Sequence, residues 1–251
     1  MLKTILVNPL FNVLLLVYAL LPGHDFGLAV IGLTVLIRLL LWPLVNKQLL
    51  HQKTMKDLQP EIAKIKKQTA GDRTKESQMM VELFKEKKIN PFASLGLALL
   101  QFPILIALYF VLRTILQHPD SISTTAYSFI RTLGPIKSII ANPGSFKPTL
   151  FGVVNMAKPN IVLAVLAGLA QYVQTRQLTP TNPTESGPGA ALTNNMALVF
   201  PILTVAIAIR FPSALALYWF VSSLIAIIQQ HMILAEDVSF MEQMIPFRRK
   251  K

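Results

Sequence analysis

The chain has 251 residues, of which 53% are hydrophobic and only 14% charged, with 24 Lys and Arg against 12 Asp and Glu. A soluble domain usually carries about a quarter charged residues, so this composition predicts a membrane protein. The net charge of +12 suits anionic lipid head groups or RNA. The absence of cysteine excludes disulfides, thiolate metal sites and a cysteine nucleophile.

The N-terminal segment, residues 1–25, is predicted to be an amphipathic helix lying on the extracytoplasmic membrane surface. Its apolar run, residues 5–21, is interrupted by Asn8, Pro9 and Asn12, and no A-x-A cleavage pattern follows. A transmembrane helix is the second interpretation of this run, and a cleaved signal peptide is the third.

Five later apolar blocks are near the length that crosses a bilayer as a helix, which predicts an all-α polytopic membrane protein. They are residues 26–44, 92–113, 159–175, 195–210 and 211–235.

Lys and Arg in the connecting segments predict the orientation of these spans. Residues 45–91 hold eleven of them and residues 114–158 hold four, so the first segment is predicted to be cytoplasmic and the second extracytoplasmic. Five spans then place the N-terminus outside. The Pro- and Gly-rich loop 176–194 and the basic tail 236–251 are predicted to be cytoplasmic.

The 45–91 segment is predicted to form a helical hairpin, because apolar residues recur at three- and four-residue spacing on both sides of Gly71-Asp72. They are Met55, Leu58, Ile62 and Ile65 before the break, and Met79, Met80, Leu83 and Phe84 after it. Pro60 is expected to bend or restart the first helix. The alternative is a solvated connecting loop. Candidate contacts with lipid or a partner are Lys53, Lys56, Lys64, Lys66 and Lys67.

Between the second and third spans, Thr124–Leu133 is predicted to form one short helix. The spans contain no acidic residue, and the motifs of zinc proteases, serine hydrolases, P-loops and dinucleotide sites are absent. We therefore predict that the chain is not an enzyme and uses no cofactor or metal.

Arg38 is the one charged residue in the span 26–44. An arginine within a bilayer is unfavourable by at least ~2.5 kcal/mol on insertion scales, so it needs polar partners or a route to the interface. Its side chain could snorkel, because it lies only about 9 Å from the inner end of the span. Alternatively, it shares a hydrated groove with polar residues of the spans, which are Thr34, Gln101, Gln171, Gln174, Trp219, Ser222 and Ser223.

Three segments carry a family resemblance. "GLTVLIRLLLWPLVNKQLLHQKTMKDLQPEI", "INPFASLGLALLQFPILIALYFVL" and "FPSALALYWFVSSLIAIIQQHMI" resemble, in order and spacing, segments of the YidC/Oxa/Alb-type membrane protein insertases. The resemblance covers roughly Asn8 to Leu234. The sequence departs from the family pattern at Pro212-Ser213-Ala214-Leu215, at residues 94–98, and at Ser222 or Ser223, where an asparagine is frequent. The large extracytoplasmic domain of some members is not expected.

The resemblance implies five helices around a hydrophilic groove that opens to lipid and cytoplasm and is closed toward the outside. Arg38 would attract acidic residues in the short translocated tail of a nascent membrane protein, and Gln171 or Gln174 and Trp219 would line the groove. The implied function is membrane protein insertion and chaperoning in the bacterial plasma membrane without nucleotide hydrolysis. Implied partners are nascent chains and lipids, with the ribosome and a Sec-type translocon left open, and no DNA.

Two other functions remain open from the residues. A secondary transporter could use Arg38 to bind a small anion, although no internal repeat is visible. A membrane-anchored adaptor could instead bind RNA or ribosomes through the basic hairpin, with the spans as passive anchors.

Overall fold

The structure, a computed structural model, describes residues 3–69, 71–87, 93–178 and 188–234. Side chains are not described at residues 55, 56, 93–101, 178, 188–197 and 234. The predicted basic tail 236–251 and residues 179–187 of the predicted loop therefore lie outside the described residues, as do the side chains of Gln101 and Lys56.

The described part of the chain is helical except for one small β-hairpin and short connections. In chain order its elements are α1 (Asn8–Leu20), α2 (Phe26–Asp57), α3 (Gln59–Thr69), α4 (Arg73–Glu86), α5 (Ala93–Gln117), α6 (Ile122–Thr125), α7 (Ser128–Arg131), α8 (Gly134–Ala141), β1 (Thr149–Leu150), β2 (Val154–Asn155), α9 (Ile161–Leu178), α10 (Pro188–Ala208) and α11 (Ser213–Leu234). A π-helical turn, Lys3–Val7, precedes α1.

Three helical stretches among the described residues are long and apolar enough to cross a membrane, namely Lys3–Leu20, Phe26–Thr54 and Ser213–Ile233. Phe102–Gln117 qualifies only together with Pro119–Thr125, from which it is bent by 107°. The first stretch has the length and apolarity of a span, so the interfacial position of α1 stays a prediction. So does the count of five spans.

Helix α2 continues well past the predicted end of the first span at residue 44. It has 32 residues and contains Pro43, which corresponds to about 48 Å at 1.5 Å per residue. The residues after Pro43 are mostly Leu, Gln and Lys, which favour helix even where they are polar. The drop in hydropathy after Leu44 therefore marks a change of environment along one helix and not a helix end.

The hairpin predicted in the 45–91 segment is confirmed in α3 and α4. Leu58, Ile62, Ile65 and Leu83 form a buried cluster, against which Met79, Met80 and Phe84 pack. Helix α2 ends at Asp57 and α3 begins at Gln59, so Pro60 accompanies a restart.

The turn of the hairpin lies where the sequence predicted it. Gly71 has a φ of +93°, which a residue with a Cβ rarely adopts, and Asp72 caps α4 by accepting from the backbone N–H of Thr74 and Lys75. Lys87 Nζ lies 2.9 Å from Glu61 Oε1 and joins the open ends of the two helices. This hydrogen bond raises the pKa of the Lys87 ammonium, so Lys87 stays charged at neutral pH.

Helix α1 packs on the N-terminal half of α2, where Val17 lies against Gly32. Helices α7 and α8 pack on α1, and α6 packs on α8. We call α1 and α6–α8 the cap. Its apolar side chains belong to the main core, to which α1 contributes Phe11, Leu14 and Leu15 and the later helices Ile122, Ile130 and Ile136.

The prediction of one helix over Thr124–Leu133 is wrong, because two short helices, α6 and α7, stand there with extended backbone at Ala126 and Tyr127. The N–H of Tyr127 donates to Oδ1 of the buried Asn12 at 2.6 Å. This bond to α1 occupies the N–H that a continuous helix would direct at the carbonyl four residues earlier.

The β-hairpin is fixed against the start of α2. Asp25 Oδ1 accepts from the N–H of Leu28 at 2.8 Å and so caps α2, while Oδ2 accepts from the N–H of Phe151 at 2.6 Å. Gly27 allows β1 to lie against the helix, because a Cβ there would be 2.5 Å from Leu150 Cβ and 2.9 Å from Leu150 Cα. The carboxylate of Asp25 and the glycine at position 27 thus fix the position of the β-hairpin.

Helix α11 packs against α2 and α9, and α10 packs against α9. Gly168 brings α9 close to α10, since a Cβ there would collide with Val205 and would lie 3.3 Å from the carbonyl oxygen of Pro201. Both helices extend beyond their predicted spans, because α9 continues to Leu178 and α10 begins at Pro188. The predicted loop 176–194 is therefore helical at both ends.

Candidate functional site

A cavity of about 330 Å³ lies between α2, α5, α9, α10 and α11. Its polar lining residues are Arg38, Gln48, Gln52, Gln171, Gln174, Ser222, Ser223 and Gln230, with Trp219 beside them, and its apolar ones are Leu41, Val45, Leu49, Phe102, Ile104, Phe200 and Ala226. Arg38 is the only charged residue among these lining residues.

Helices α2 and α11 each contribute one continuous face to the cavity. On α2 the lining residues recur every three or four positions from Arg38 to Gln52, and on α11 they recur likewise from Trp219 to Gln230. This spacing places side chains on one side of a helix. The preceding turns of both helices are packed into the main core, among them Leu33 and Tyr218. The cavity therefore lies in the half of the helices nearer the hairpin.

Arg38 is half-buried, and its Nε donates to Ser222 Oγ at 2.8 Å. Its Nη2 donates to the same hydroxyl. No carboxylate is among the lining residues that the structure describes. The guanidinium thus donates to a neutral hydroxyl. It brings a positive charge to the cavity, and it can only donate hydrogen bonds.

A second hydrogen bond joins α11 to α9 across the cavity wall. Ser223 Oγ donates to Gln171 Oε1 at 3.2 Å. Together with the contact between Arg38 and Ser222, this bond places α2, α9 and α11 around one polar surface. Phe102 and Phe200, which are 56% and 44% exposed, flank that surface and give it an apolar edge.

Most of the predicted groove residues come together in this cavity, namely Arg38, Gln171, Gln174, Trp219, Ser222 and Ser223. Thr34 does not line it, because its hydroxyl is buried and donates to the carbonyl of Val30 at 2.7 Å within α2. The side chain of Gln101 lies outside the described residues.

The sequence interpretation missed Gln48 and Gln52 as site residues. The prediction places Gln48 and Gln52 in the 45–91 segment after the first span, whereas α2 carries them on the face of Arg38. The spacing 38, 41, 45, 48, 52 is visible in the sequence and would have found them, had the helix been extended past Pro43.

The hairpin lysines form a different surface, and none of those that the structure describes lines the cavity. Lys64 and Lys67 are exposed, while Lys53 and Lys66 are half-buried. Within the described ranges, no three His, Asp or Glu side chains are grouped so that they could hold a metal ion.

A buried amide pair fixes α11 to α2 beside the cavity. Gln229 is fully buried, and its Nε2 donates to Asn46 Oδ1 at 2.6 Å and to the carbonyl of Trp42 at 3.3 Å. Each such bond between helices in a membrane protein is worth about 0.6 kcal/mol and at most about 1.7 kcal/mol.

We expect Gln229→Leu to lower the free energy of unfolding by about 1–2 kcal/mol and the melting temperature by about 2–8 °C. The measurement is thermal unfolding of the purified protein in detergent. The matched controls are Asn46→Leu and the double variant Asn46→Leu/Gln229→Leu. If the two single losses add fully in the double variant, the two amides do not stabilise each other in the way the 2.6 Å contact implies.

Apolar helices, a polar cavity with a single arginine and a basic hairpin at one end together define a multi-pass α-helical membrane protein. The model of the family described as "60Kd inner membrane protein" matches residues 17–239. The chain belongs to this family.

Two curated relatives extend this assignment. The chain is 35% identical over 210 residues to "Membrane protein insertase YidC" of Fusobacterium nucleatum, which covers 84% of this chain and 86% of the relative. It is 32% identical over 225 residues to "Membrane protein insertase MisCA" of Bacillus subtilis, covering 88% and 74%.

A solved structure described as "Active YidC insertase crystal structure with the first transmembrane domain resolved" is similar in fold, with a TM-score of 0.52 and 23% sequence identity. The match covers 82% of this chain but 41% of the solved one. The fold assignment thus agrees with the family resemblance of the three motifs.

Proposed function

We propose that this chain is a membrane protein insertase and chaperone. Its clients would be nascent membrane proteins whose short tails must cross the bilayer. The observation that carries the proposal is the cavity in which Arg38 is the one charged residue among the described lining residues. Five helices line it, and relatives of the chain are named membrane protein insertases. No nucleotide hydrolysis enters the proposed mechanism.

Insertion of an apolar client span is favourable without coupling to nucleotide hydrolysis. A client span of about 20 apolar residues gains about 6–12 kcal/mol on entering lipid, and the obstacle is the polar tail that must cross with it. A polar groove that reaches partway across the bilayer shortens that crossing. A fixed positive charge attracts an acidic tail by up to about 4 kcal/mol at 4 Å in a medium with an effective dielectric constant of 20.

The proposed topology has five spans, with the N-terminus outside and the C-terminus in the cytoplasm. It is supported by the excess of Lys and Arg in residues 45–91 over residues 114–158. The hairpin and the cap stand at opposite ends of α2, as this orientation requires. The cavity would then open toward lipid and cytoplasm, and the packed core beneath the cap would close it from the outside.

The proposed partners are nascent chains at the cavity and lipids around the apolar helices. The ribosome and a Sec-type translocon, which the resemblance leaves open, would bind at the hairpin face. Its lysines Lys64 and Lys67 are exposed and lie away from the cavity lining.

The test is insertion of a small single-span protein with an acidic N-terminal tail into proteoliposomes that contain the full chain. Protection of the tail from added protease measures translocation, and empty liposomes give the background. We expect protection well above that background. Background-level protection together with saturable uptake of a small anion would instead support the transporter interpretation of Arg38.

A further inference from the structure

Two glutamines at the hairpin end of the cavity carry carbonyl oxygens without a hydrogen-bond partner. They are Gln52 on α2 and Gln230 on α11, and both line the cavity. Gln230 is only 3% exposed. The Oε1 atoms of both side chains are buried and accept no hydrogen bond from the described residues. A buried carbonyl without a donor is unfavourable, so this pair of acceptors marks a place where donors are expected to bind.

These acceptors are well separated from Arg38. Gln52 follows Arg38 by fourteen residues on α2, which corresponds to about 21 Å, and Gln230 follows Ser222 by eight residues on α11, which corresponds to about 12 Å. The cavity thus has a donor region around the guanidinium and an acceptor region nearer the hairpin. An acidic tail explains only the first of these regions.

The chemistry of the second region fits the backbone of an extended polypeptide. An extended segment has unpaired N–H groups along its whole length, whereas a helical segment has satisfied nearly all of its own. Lysine or arginine side chains of a client would fit less well, because Arg38 and the eleven basic residues of the 45–91 segment repel them. The rises of about 21 Å to Gln52 and about 12 Å to Gln230 correspond to about six and about four residues of extended chain.

We propose that Gln52 and Gln230 form a second client-binding subsite, which accepts hydrogen bonds from backbone N–H groups of an extended segment. This segment lies about four to six residues from the acidic residue that contacts Arg38. The inference rests on the proposed insertase function. It deepens that function by assigning the cavity two contacts of opposite hydrogen-bonding character, which would hold a tail in an extended conformation.

The experiment removes one client donor at a time. A fluorescent synthetic tail peptide with a single aspartate is compared with peptides in which an ester replaces the amide at four, five or six residues from that aspartate. Binding to the full chain in lipid nanodiscs is followed by anisotropy. We expect one ester position to weaken binding to the wild type about fivefold, the effect of one lost hydrogen bond of ordinary strength.

The protein variants are Gln52→Met/Gln230→Met and the control Gln177→Met. Methionine keeps the length of the side chain and removes the acceptor. Gln177 also carries a buried Oε1 without a partner among the described residues, but it does not line the cavity. We expect the ratio of ester to amide affinity to fall to about one in the double variant and to stay near fivefold in the control. Because the ratio is internal to each variant, a general loss of folded protein does not imitate this result.

Equal binding of ester and amide peptides to the wild type would overturn the inference, and so would a fivefold ratio that survives in the double variant. In either case, binding that still requires Arg38 would leave the insertase proposal intact. A wild type that neither binds the peptide nor inserts the client protein would overturn both.

Discussion

Replacing Arg38 by alanine is expected to reduce the insertion of a client with an acidic tail at least about tenfold, which corresponds to about 1.4 kcal/mol. The reason is that Arg38 supplies the one positive charge among the lining residues that the structure describes. Its attraction for a carboxylate at contact distance is worth several times that amount. The measurement is the rate of tail protection in proteoliposomes. Arg38→Lys is expected to retain part of the activity, since it keeps the charge but loses the planar donor geometry.

The control is a client whose acidic tail residues are replaced by asparagine or glutamine. For this client, Arg38→Ala is expected to change the rate much less. Ser222→Ala, which removes the resting partner of Arg38 but keeps the charge, is expected to have a small effect on both clients. If Arg38→Ala impairs both clients equally, Arg38 maintains the structure of the cavity and does not attract the tail. If it impairs neither, Arg38 is a snorkelling residue.

Gly27→Ala is expected to lower the free energy of unfolding by about 1–3 kcal/mol and the melting temperature by about 3–10 °C. The new methyl group would lie 2.5 Å from Leu150 Cβ and 2.9 Å from Leu150 Cα, and no side-chain rotation can move either atom away. Strand β1 must therefore shift, and the hydrogen bond between Asp25 and Phe151 is strained with it. Thermal unfolding measures the loss, and limited proteolysis near Phe151 detects the loosened turn.

Gly134→Ala is the matched control, because nothing lies within 4 Å of a Cβ at that position, at the start of α8. It should melt like the wild type or slightly higher. Equal melting of Gly27→Ala and Gly134→Ala would mean that β1 does not lie against α2 as closely as the structure describes.

The hairpin was predictable because its information is local. Each helix has an apolar stripe, and Gly71 and Asp72 between them are residue types that favour a turn and a helix start. Helices α3 and α4 form their small core mainly with each other. The cap was less predictable. The break between α6 and α7 depends on Asn12, whose side chain reaches Tyr127 from 115 positions away, and no local signal in residues 124–133 reports it.

The site was partly predictable for a similar reason. Arg38 is conspicuous as a charge among apolar residues, and the polar residues of the later spans are conspicuous for the same reason. Gln48 and Gln52 are missed because the sequence interpretation ends the first helix where the apolar span ends, at residue 44. Hydrophobic thickness limits the apolar part of a helix, whereas helix length depends on propensity and packing, and α2 continues for 13 residues after residue 44.

The hydroxyl beneath Arg38 has a consequence for turnover. A carboxylate in place of Ser222 would hold the guanidinium in a permanent ion pair, and an arriving acidic tail would first have to displace an equal competitor. A serine holds it by hydrogen bonds from Nε and Nη2 to a neutral oxygen. An anion can therefore displace the hydroxyl readily, and the hydroxyl can accept from the guanidinium again when the anion leaves. Under the proposed function, capture and release of successive tails would need only this exchange of partners, with no proton transfer.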